Sequence, residues 1–286
     1  MNRVRFGYLL VAGAAIAWSL NGPFNRSLLD DGLTSLEIAF WRLIVVVLAF
    51  VLHSTVQQRW VRPARQDWVL ILVFGLVAVP MLFVSLPAAV DYGGIGLAFV
   101  LLYTAPAFVA IGAHWFLGER LSARQIVWTG ACTLGIVLVV AGQGADLNPK
   151  ALVFGLLAGF GYSLYFLLGK PLYRRLDPVG VLSIVFLVAL IVLVPFAGPI
   201  PLEAIPAVIG LGVLSTYVPY VMYSEALTLV SASRASVVAT IEPVAALAYA
   251  WLIYDEVLTP VMLLGSFLVL LAATAVSRLS TAPQQV

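Results

Sequence analysis

Two charged residues interrupt long apolar stretches of this sequence, where an ionised side chain is costly. Glu242 directly precedes Pro243, and Arg42 lies in a run of aromatic and aliphatic residues. Charged groups in such surroundings are candidates for function by default. Glu242 is the sharper candidate because it can carry a coupling proton, although pairing with another helix would also account for it. Arg42 is interpreted as structural, paired with an acidic group or with backbone carbonyls.

Aromatic and small polar side chains occur together at the midpoints of two other apolar stretches. Trp18, Ser19 and Asn21 lie in the first, and Tyr162 and Ser163 lie in the second. Rings beside hydroxyl and amide groups suit a ligand that joins an apolar side chain to a polar head. We include these residues in a predicted binding pocket, and helix packing with hydrogen bonds between helices is the open alternative.

Tyrosines mark two further apolar stretches. Tyr217, Tyr220 and Ser224 are spaced by three and four residues, which places them on one helical face. Tyr103 begins a similar face in an earlier stretch. Tyrosines near a membrane surface would form an aromatic belt, but Tyr217 and Tyr220 lie near the middle of their stretch. The sequence therefore predicts that these residues line a pocket.

Two prolines occupy matching positions inside apolar stretches. Pro106 and Pro243 each remove an amide donor and leave the carbonyl four residues earlier without its helical partner. A kink at both positions can act as a hinge, or it can curve the helices around a cavity. Curvature is favoured, and both prolines are kept as hinge candidates.

The composition requires a membrane for almost the whole chain. Hydrophobic residues make up 63% of the 286 residues and charged residues 10%, with a mean hydropathy of +1.08. A soluble domain has about 25% charged residues, and a membrane helix needs roughly 20 apolar residues. The predicted fold is an all-α membrane protein with ten transmembrane helices, at residues 6–28, 35–54, 68–88, 94–116, 124–142, 151–170, 178–198, 206–228, 232–253 and 259–277.

The two halves of the chain share one pattern of residues. Ala, Ala, Pro and Glu recur with intervals of 9, 8 and 13 residues at two places 137 residues apart: Ala89, Ala98, Pro106 and Glu119, then Ala226, Ala235, Pro243 and Glu256. Five spans per half is an odd number, so the halves must insert in opposite orientations. We predict one transmembrane domain built from two inverted five-helix repeats, 1–145 and 146–286, a design that recurs in secondary transporters.

Basic residues predict the orientation in the membrane. Twelve of the fifteen Lys and Arg residues fall on one side of the predicted spans: Arg3, Arg5, Arg59, Arg62, Arg65, Arg120, Arg124, Lys170, Arg174, Arg175, Arg234 and Arg278. Because these residues accumulate on the cytoplasmic side, both termini are predicted to be cytoplasmic. The basic and apolar start resembles a signal peptide, but AWSL at 17–20 is similar to GYSL at 161–164, which indicates that the first span is retained.

Four short motifs carry a family resemblance: FWR at 40–42, GER at 118–120, AL at 226–227 and EP at 242–243. In combination they resemble the drug/metabolite transporter superfamily, in its EamA-type branch. The resemblance implies ten helices, a central cavity walled mainly by spans 3, 4, 8 and 9, and export of small metabolites. Within the branch the chain is most similar to bacterial exporters of amino acids, including aromatic ones. YDE at 254–256 departs from a second GE motif.

The predicted function is a secondary transporter that exports small amphiphilic metabolites, with amino acids and especially aromatic ones favoured, from a bacterial inner membrane. A multidrug or cation exporter is the alternative, because Glu242 could bind a cation, and a passive channel is a weaker one. The sequence has no phosphate-binding loop, zinc motif or nucleophile elbow, so an enzyme is not predicted. No cofactor, metal ion or nucleic acid is implied; the expected partners are a small-molecule substrate and the lipid bilayer, and the oligomeric state stays open.

Overall fold

The regular secondary structure is helical throughout the residues that the structure describes. This computed structural model describes residues 3–119, 121–141, 148–254 and 258–279, without the side chains of 95, 96, 140, 246, 247, 250 and 252–254. The helices are α1 (Arg3–Trp18), α2 (Asn21–Asp30), α3 (Ser35–Val56), α4 (Arg65–Val73), α5 (Val79–Leu102), α6 (Ala105–Leu117), α7 (Ala123–Ala141), α8 (Pro149–Tyr173), α9 (Pro178–Leu193), α10 (Ile205–Gly212), α11 (Val218–Leu229), α12 (Ala232–Ala239), α13 (Ile241–Tyr254) and α14 (Pro260–Arg278).

Eight helical segments of the described chain are long and apolar enough to cross a membrane: Arg3–Asp30, Ser35–Val56, Arg65–Gly94, Leu97–Leu117, Pro149–Tyr173, Pro178–Phe196, Leu202–Leu229 and Pro260–Arg278. A shorter apolar stretch, Ala123–Val139, lies in α7, and α12 and α13 have 8 and 14 residues. The predicted all-α membrane class is confirmed. The division into ten spans and two repeats stays a prediction, and its boundary at 145/146 lies outside the described residues.

Three of the predicted spans contain a break in the helix. α1 ends at Trp18 and α2 begins at Asn21, so the predicted span 6–28 is not continuous. α5 ends at Leu102 and two residues separate it from α6, whereas α12 ends at Ala239 and one residue separates it from α13. The last two breaks lie 137 residues apart, which is the offset of the sequence repeat.

Pro106 and Pro243 lie just after these two matching breaks, in the first turns of α6 and α13. An amide in the first turn of a helix has no helical acceptor, so a proline loses nothing there. At each break a threonine caps the end of the preceding helix: the hydroxyls of Thr104 and Thr240 donate to the carbonyl three residues earlier, at 2.6 and 2.5 Å. The helix therefore stops and restarts instead of bending through a proline, and the role of the two prolines as hinges stays a prediction.

Two wide π-helical turns interrupt the third and the seventh of the eight long segments. Phe74–Ala78 joins α4 to α5, and Val213–Tyr217 joins α10 to α11. The two turns lie 139 residues apart, and a proline follows each of them, Pro80 and Pro219. Such turns add a residue to a helix and occur often at functional sites. Neither turn was predicted from the sequence.

The two halves of the chain pack into one bundle. α1 packs against α11, α5 against α8, α3 against α9 and α7 against α14, so each of these pairs joins the first half to the second. The buried core runs through these contacts, with large side chains such as Phe50, Phe83 and Phe186 fully enclosed. Large apolar side chains such as Leu48, Trp115 and Phe116 are exposed, as expected for a surface in contact with lipid tails.

Charged side chains from several connections meet at one end of the bundle. Arg59 Nη2 lies 2.8 Å from Asp177 Oδ2 and also pairs with Glu225, and Arg175 Nη2 lies 2.6 Å from Asp67 Oδ1. These contacts bring the α3–α4 and α8–α9 connections to the end of α11. We call this end, formed by Arg59, Asp67, Glu119, Lys170, Arg175, Asp177 and Glu225, the polar end.

Glu119 reaches the polar end because α6 is stopped by a glycine. Gly118 adopts a left-handed conformation with φ of 64°, which most other residues disfavour. The chain then turns so that the buried Glu119 carboxylate accepts hydrogen bonds from the amides of Ala232 and Ser233, at 2.9 and 3.2 Å. These amides begin α12, where the helix dipole favours an anion. The GE motif therefore fastens the end of α6 to the start of α12.

Candidate functional site

Aromatic rings meet where α1, α8 and α11 come together. The Trp18 ring has its centroid 5.8 Å from that of Tyr162 and 5.3 Å from that of Tyr220. Both contacts are edge-to-face, a geometry that aromatic pairs prefer. All three side chains are buried. The structure thus brings together three residues that the sequence placed in one pocket.

Two more tyrosines belong to the same group of rings. Tyr165 stacks on Tyr220 with centroids 5.1 Å apart, and Tyr223 lies 5.4 Å from Trp18. We call Trp18, Tyr162, Tyr165, Tyr220 and Tyr223 the aromatic cluster. Tyr165 and Tyr223 were not among the predicted binding residues. The signal that could have found them is their spacing, because each follows a predicted tyrosine by three residues on the same helix.

Arg42 of α3 is buried next to the aromatic cluster, with 2% of its surface exposed. Its Nε donates to Thr216 Oγ1 at 2.8 Å, and its guanidinium carbon lies 3.9 Å from the centroid of the Phe83 ring. In the described part of the chain Arg42 forms no ion pair, and its two Nη atoms have no hydrogen-bond partner. A hydroxyl and a ring therefore hold Arg42, in place of the acidic group or carbonyls that the sequence suggested.

The second π-helical turn positions both Arg42 and the end of α1. The Thr216 hydroxyl accepts from Arg42 and itself donates to the carbonyl of Leu211 at 2.6 Å. In the same turn the Ser215 hydroxyl donates to the carbonyl of Trp18 at 3.5 Å. One irregular segment of five residues thus contacts both the buried cation and the backbone of Trp18, whose ring belongs to the aromatic cluster.

Glu242 approaches the aromatic cluster from the first turn of α13. Only 2% of its surface is exposed. Its carboxyl group lies beside the Tyr103 hydroxyl, without an ordinary hydrogen bond, and within electrostatic reach of Arg42. Tyr162 and Tyr220 also lie within reach of its charge. Arg42 and Glu242 are therefore opposite charges in one buried interior that do not touch.

Hydroxyl groups around this interior are buried without a hydrogen-bond partner in the described chain; they belong to Tyr103, Tyr162, Tyr165 and Tyr223. Buried polar groups normally have partners, so these hydroxyls can bind a ligand or water. The charges and hydroxyls suit the polar part of a ligand, and the rings suit its apolar part. Among the residues described, no group of three or more His, Cys, Asp or Glu side chains could hold a metal ion.

The three serines of the predicted pocket bond to backbone carbonyls of their own helical segments, and in the described chain Asn21 does not. The hydroxyls of Ser19, Ser163 and Ser224 each donate to the carbonyl three residues earlier in the chain, at 2.5, 2.6 and 3.1 Å. Asn21 is buried, and its Oδ1 has no partner in the described chain. No described hydrogen bond joins these four residues to the aromatic cluster. Their contact with a ligand stays a prediction.

Tyr217 lies apart from the aromatic cluster. Its hydroxyl is 2.7 Å from His53 Nδ1, and the two side chains line a groove on the outside of α3 together with Leu52. A step of three residues rotates around a helix by about 60°, so Tyr217 and Tyr223 fall on opposite flanks of Tyr220. The spacing correctly grouped the tyrosines on a broad face, but only part of that face points inward. A binding role for Tyr217 stays a prediction.

Comparison with known proteins identifies a transporter family. The EamA-like transporter family matches residues 5–141 and again residues 149–278. An uncharacterized transporter of Archaeoglobus fulgidus is 27% identical over 93% of this chain and 94% of its own length. The uncharacterized transporter YdfC of Bacillus subtilis is 25% identical over 87% of this chain and 83% of its own length.

One of the similar proteins is named after a substrate class. A protein named as a probable terminal-alkyne amino-acid exporter, from Streptantibioticus cattleyicolor, is 25% identical over 92% of this chain and 90% of its own length. A protein of known crystal structure superposes with a TM-score of 0.81 over 96% of this chain and 99% of its own, at 13% identity. At that identity the likeness concerns the fold alone. The named relatives are transporters and not enzymes.

Proposed function

The chain belongs to the EamA-like transporter family, and we propose that it is a secondary transporter that exports small amphiphilic metabolites, chiefly amino acids. The observation that carries the proposal is the aromatic cluster within electrostatic reach of buried Arg42 and Glu242. A substrate of this kind joins an apolar side chain to a charged head. Rings provide the larger part of the site, so aromatic amino acids fit best.

We propose ten transmembrane spans arranged as two inverted repeats. Three observations support this architecture. The family matches each half of the chain separately. The π-helical turns recur after 139 residues, and the breaks before Pro106 and Pro243 recur after 137. Inverted repeats allow a central site to open alternately to the two sides of a membrane.

The site is closed by its own aromatic rings, which supports transport by alternating access. The rings of Trp18, Tyr162 and Tyr220 contact one another, so a substrate can enter only when the surrounding helices separate. The helix breaks after Leu102 and Ala239 flank the site. We propose that these breaks, with the adjacent prolines, are where the helices reorient.

Both termini are proposed to be cytoplasmic, in a bacterial inner membrane. The connections that carry most of the basic residues meet at the polar end, as they would if they share one side. Cysteine accessibility tests this in a protein without Cys132. Cysteines at Arg62 and Arg174 should react only from inside, and a cysteine at Glu203 only from outside; the reverse pattern would overturn the orientation.

Counterflow in proteoliposomes tests the transporter function. Vesicles loaded with unlabelled phenylalanine, tyrosine or leucine should accumulate the labelled amino acid transiently, without ATP. Exchange must saturate with concentration, which a passive channel would not show. Strict dependence on ATP, or no exchange for any amino acid, would reject the proposal.

A multidrug cation exporter is the second candidate, and Glu242 favours it. A buried acid near aromatic rings is a good site for an organic cation. In this case the vesicles would exchange quaternary ammonium compounds in preference to amino acids. The same counterflow assay distinguishes the two substrate classes.

A further inference from the structure

We propose that Arg42 and Glu242 are the two halves of a zwitterion-binding site: the Arg42 Nη atoms bind the carboxylate of an amino acid, and the Glu242 carboxylate binds its ammonium group. The amino-acid side chain would lie against Trp18 and Tyr220. This inference rests on the proposed function, since it names the groups by which the transporter recognises its substrate. It also assigns a ligand role to Arg42.

The Arg42 guanidinium is presented for a carboxylate. Its Nε is occupied by Thr216, and Phe83 covers one face at 3.9 Å. These contacts fix the plane of the group and leave the edge with the two Nη atoms without a partner in the described residues. The two Nη atoms on that edge can bind a carboxylate in a bidentate manner. Burying a cation without such an anion costs free energy, and a bound carboxylate would reduce this cost for Arg42.

Glu242 is equally placed for a cation. It is buried in the first turn of α13, and Tyr103, Tyr162 and Arg42 supply its electrostatic surroundings. No described Lys or Arg forms an ion pair with it. An ammonium group can hydrogen-bond the carboxylate and the adjacent tyrosine hydroxyls at the same time.

The gap between the two charges favours a zwitterion. At the polar end Arg59 contacts both Asp177 and Glu225 directly. Arg42 and Glu242 attract each other across the interior without meeting. A molecule that carries both charges can fill this gap with its anion towards Arg42 and its cation towards Glu242.

A site with both charges also discriminates between an amino acid and molecules that carry only one of its two charges. An amine would leave Arg42 unpaired in a buried site, and a carboxylic acid would leave Glu242 unpaired. Each of these half-ligands therefore suffers the cost of a buried, unmatched charge. The pair thus rejects the organic cations that a lone buried acid would accept.

The test compares phenylalanine, phenethylamine and 3-phenylpropionate as competitors for labelled phenylalanine on the purified wild-type protein. Tyrosine and leucine, each with the matched amine and acid, repeat the series. We expect both half-ligands to bind about 10–100-fold more weakly than the amino acid, the range for loss of hydrogen bonds to a charged group. Arg42→Gln should bind phenylalanine and phenethylamine equally, and Glu242→Gln should bind phenylalanine and 3-phenylpropionate equally. The matched control Arg59→Gln should keep the wild-type ratios.

Equal binding of phenethylamine and phenylalanine by the wild-type protein would overturn the inference and leave a cation exporter. Equal binding of 3-phenylpropionate and phenylalanine would overturn it as well. Counterflow of amino acids with either result would leave the proposed function standing, whereas absence of all amino-acid exchange would reject that function itself. Because the analogue series uses the wild-type protein, a variant that fails to fold does not affect the test.

Discussion

Among the described residues, buried charged groups have protein partners at the polar end of the bundle but form no ion pairs in its interior. At the polar end Asp67 pairs with Arg175, and the Glu119 carboxylate accepts two backbone amides. In the interior Arg42 and Glu242 are buried as deeply, yet neither forms an ion pair with a described residue. Within its described part, the same chain therefore pairs its buried charged side chains at the polar end and leaves two of them without an ion pair in the interior.

This difference in pairing distinguishes charged groups that stabilise the fold from charged groups that are available to a ligand. A buried charge whose partners are protein groups adds no binding capacity, because any ligand would have to displace them. Burying a charge without such partners costs free energy in the free protein. A ligand of opposite charge removes this cost when it binds. The polar end is thus expected to govern stability, and the interior to govern binding.

The largest effect on stability is expected from Lys170→Met. Lys170 is buried and its Nζ donates to the carbonyls of Leu227, at 2.6 Å, and Val230. The substitution leaves two buried carbonyls unpaired, which costs about 1–3 kcal/mol each, so Tm in detergent should fall clearly. The exposed Lys150→Met is the control and should leave Tm unchanged. Equal Tm values for both variants would show that the polar end does not govern stability.

Trp18→Ala should produce the largest effect on binding among the rings. Aromatic pairs contribute about 0.5–1.5 kcal/mol beyond the burial of area, so affinity for phenylalanine should fall by roughly tenfold while affinity for leucine falls less. Trp115→Ala is the matched control, because Trp115 is 78% exposed on the lipid-facing surface. Competition binding measures both. An equal loss for the two amino acids would remove the aromatic cluster from substrate recognition.

Thr216→Val should weaken binding more modestly. The variant keeps the volume of the side chain but removes the hydroxyl that accepts from Arg42 Nε at 2.8 Å. A hydrogen bond to a charged group contributes about 1.5–3 kcal/mol, and water can replace most of it, so affinity should fall by roughly threefold. Thr228→Val, at an exposed hydroxyl, serves as control. Unchanged affinity would mean that the π-helical turn does not position Arg42 for the ligand.

Tyr217→Phe is expected to have the smallest effect. It removes a hydroxyl that contacts His53 in the outer groove, away from the aromatic cluster. Substitutions at such sites usually change stability by less than about 0.5 kcal/mol, and binding should not change. A loss of binding comparable to that of Trp18→Ala would return Tyr217 to the binding site, where its sequence spacing had placed it.

Much of the fold could be predicted from the sequence because membrane helices depend on local composition. A run of apolar residues predicts a span wherever it occurs, and prolines mark positions where a helix is weakened. The breaks after Leu102 and Ala239 follow from Pro106 and Pro243 in this way. The π-helical turns have a weaker signal, Pro80 and Pro219 at nearly the same offset, because a proline fixes its own conformation and not the turn before it.

The site could be predicted only in part because it depends on distant contacts. Position at the middle of a span placed Trp18 and Tyr162 in the pocket, spacing placed Tyr220 there, and the three rings do meet. The partner of Arg42 is Thr216, 174 residues away, and no local pattern connects them. For this reason Arg42, although it was noticed in the sequence, was interpreted as a structural residue.

Glu119→Gln and Glu242→Gln, measured side by side, test the separation of structural and binding charge most directly. Each variant is assayed for Tm and for affinity towards phenylalanine. Glu119→Gln should lower Tm by about 3–6 °C, because about 1–2 kcal/mol is lost, with affinity unchanged. Glu242→Gln should leave Tm unchanged or raise it, because it removes a buried charge that forms no ion pair in the described chain, and it should lower affinity about 10–100-fold. The opposite pattern, or the same pattern for both variants, would contradict the account.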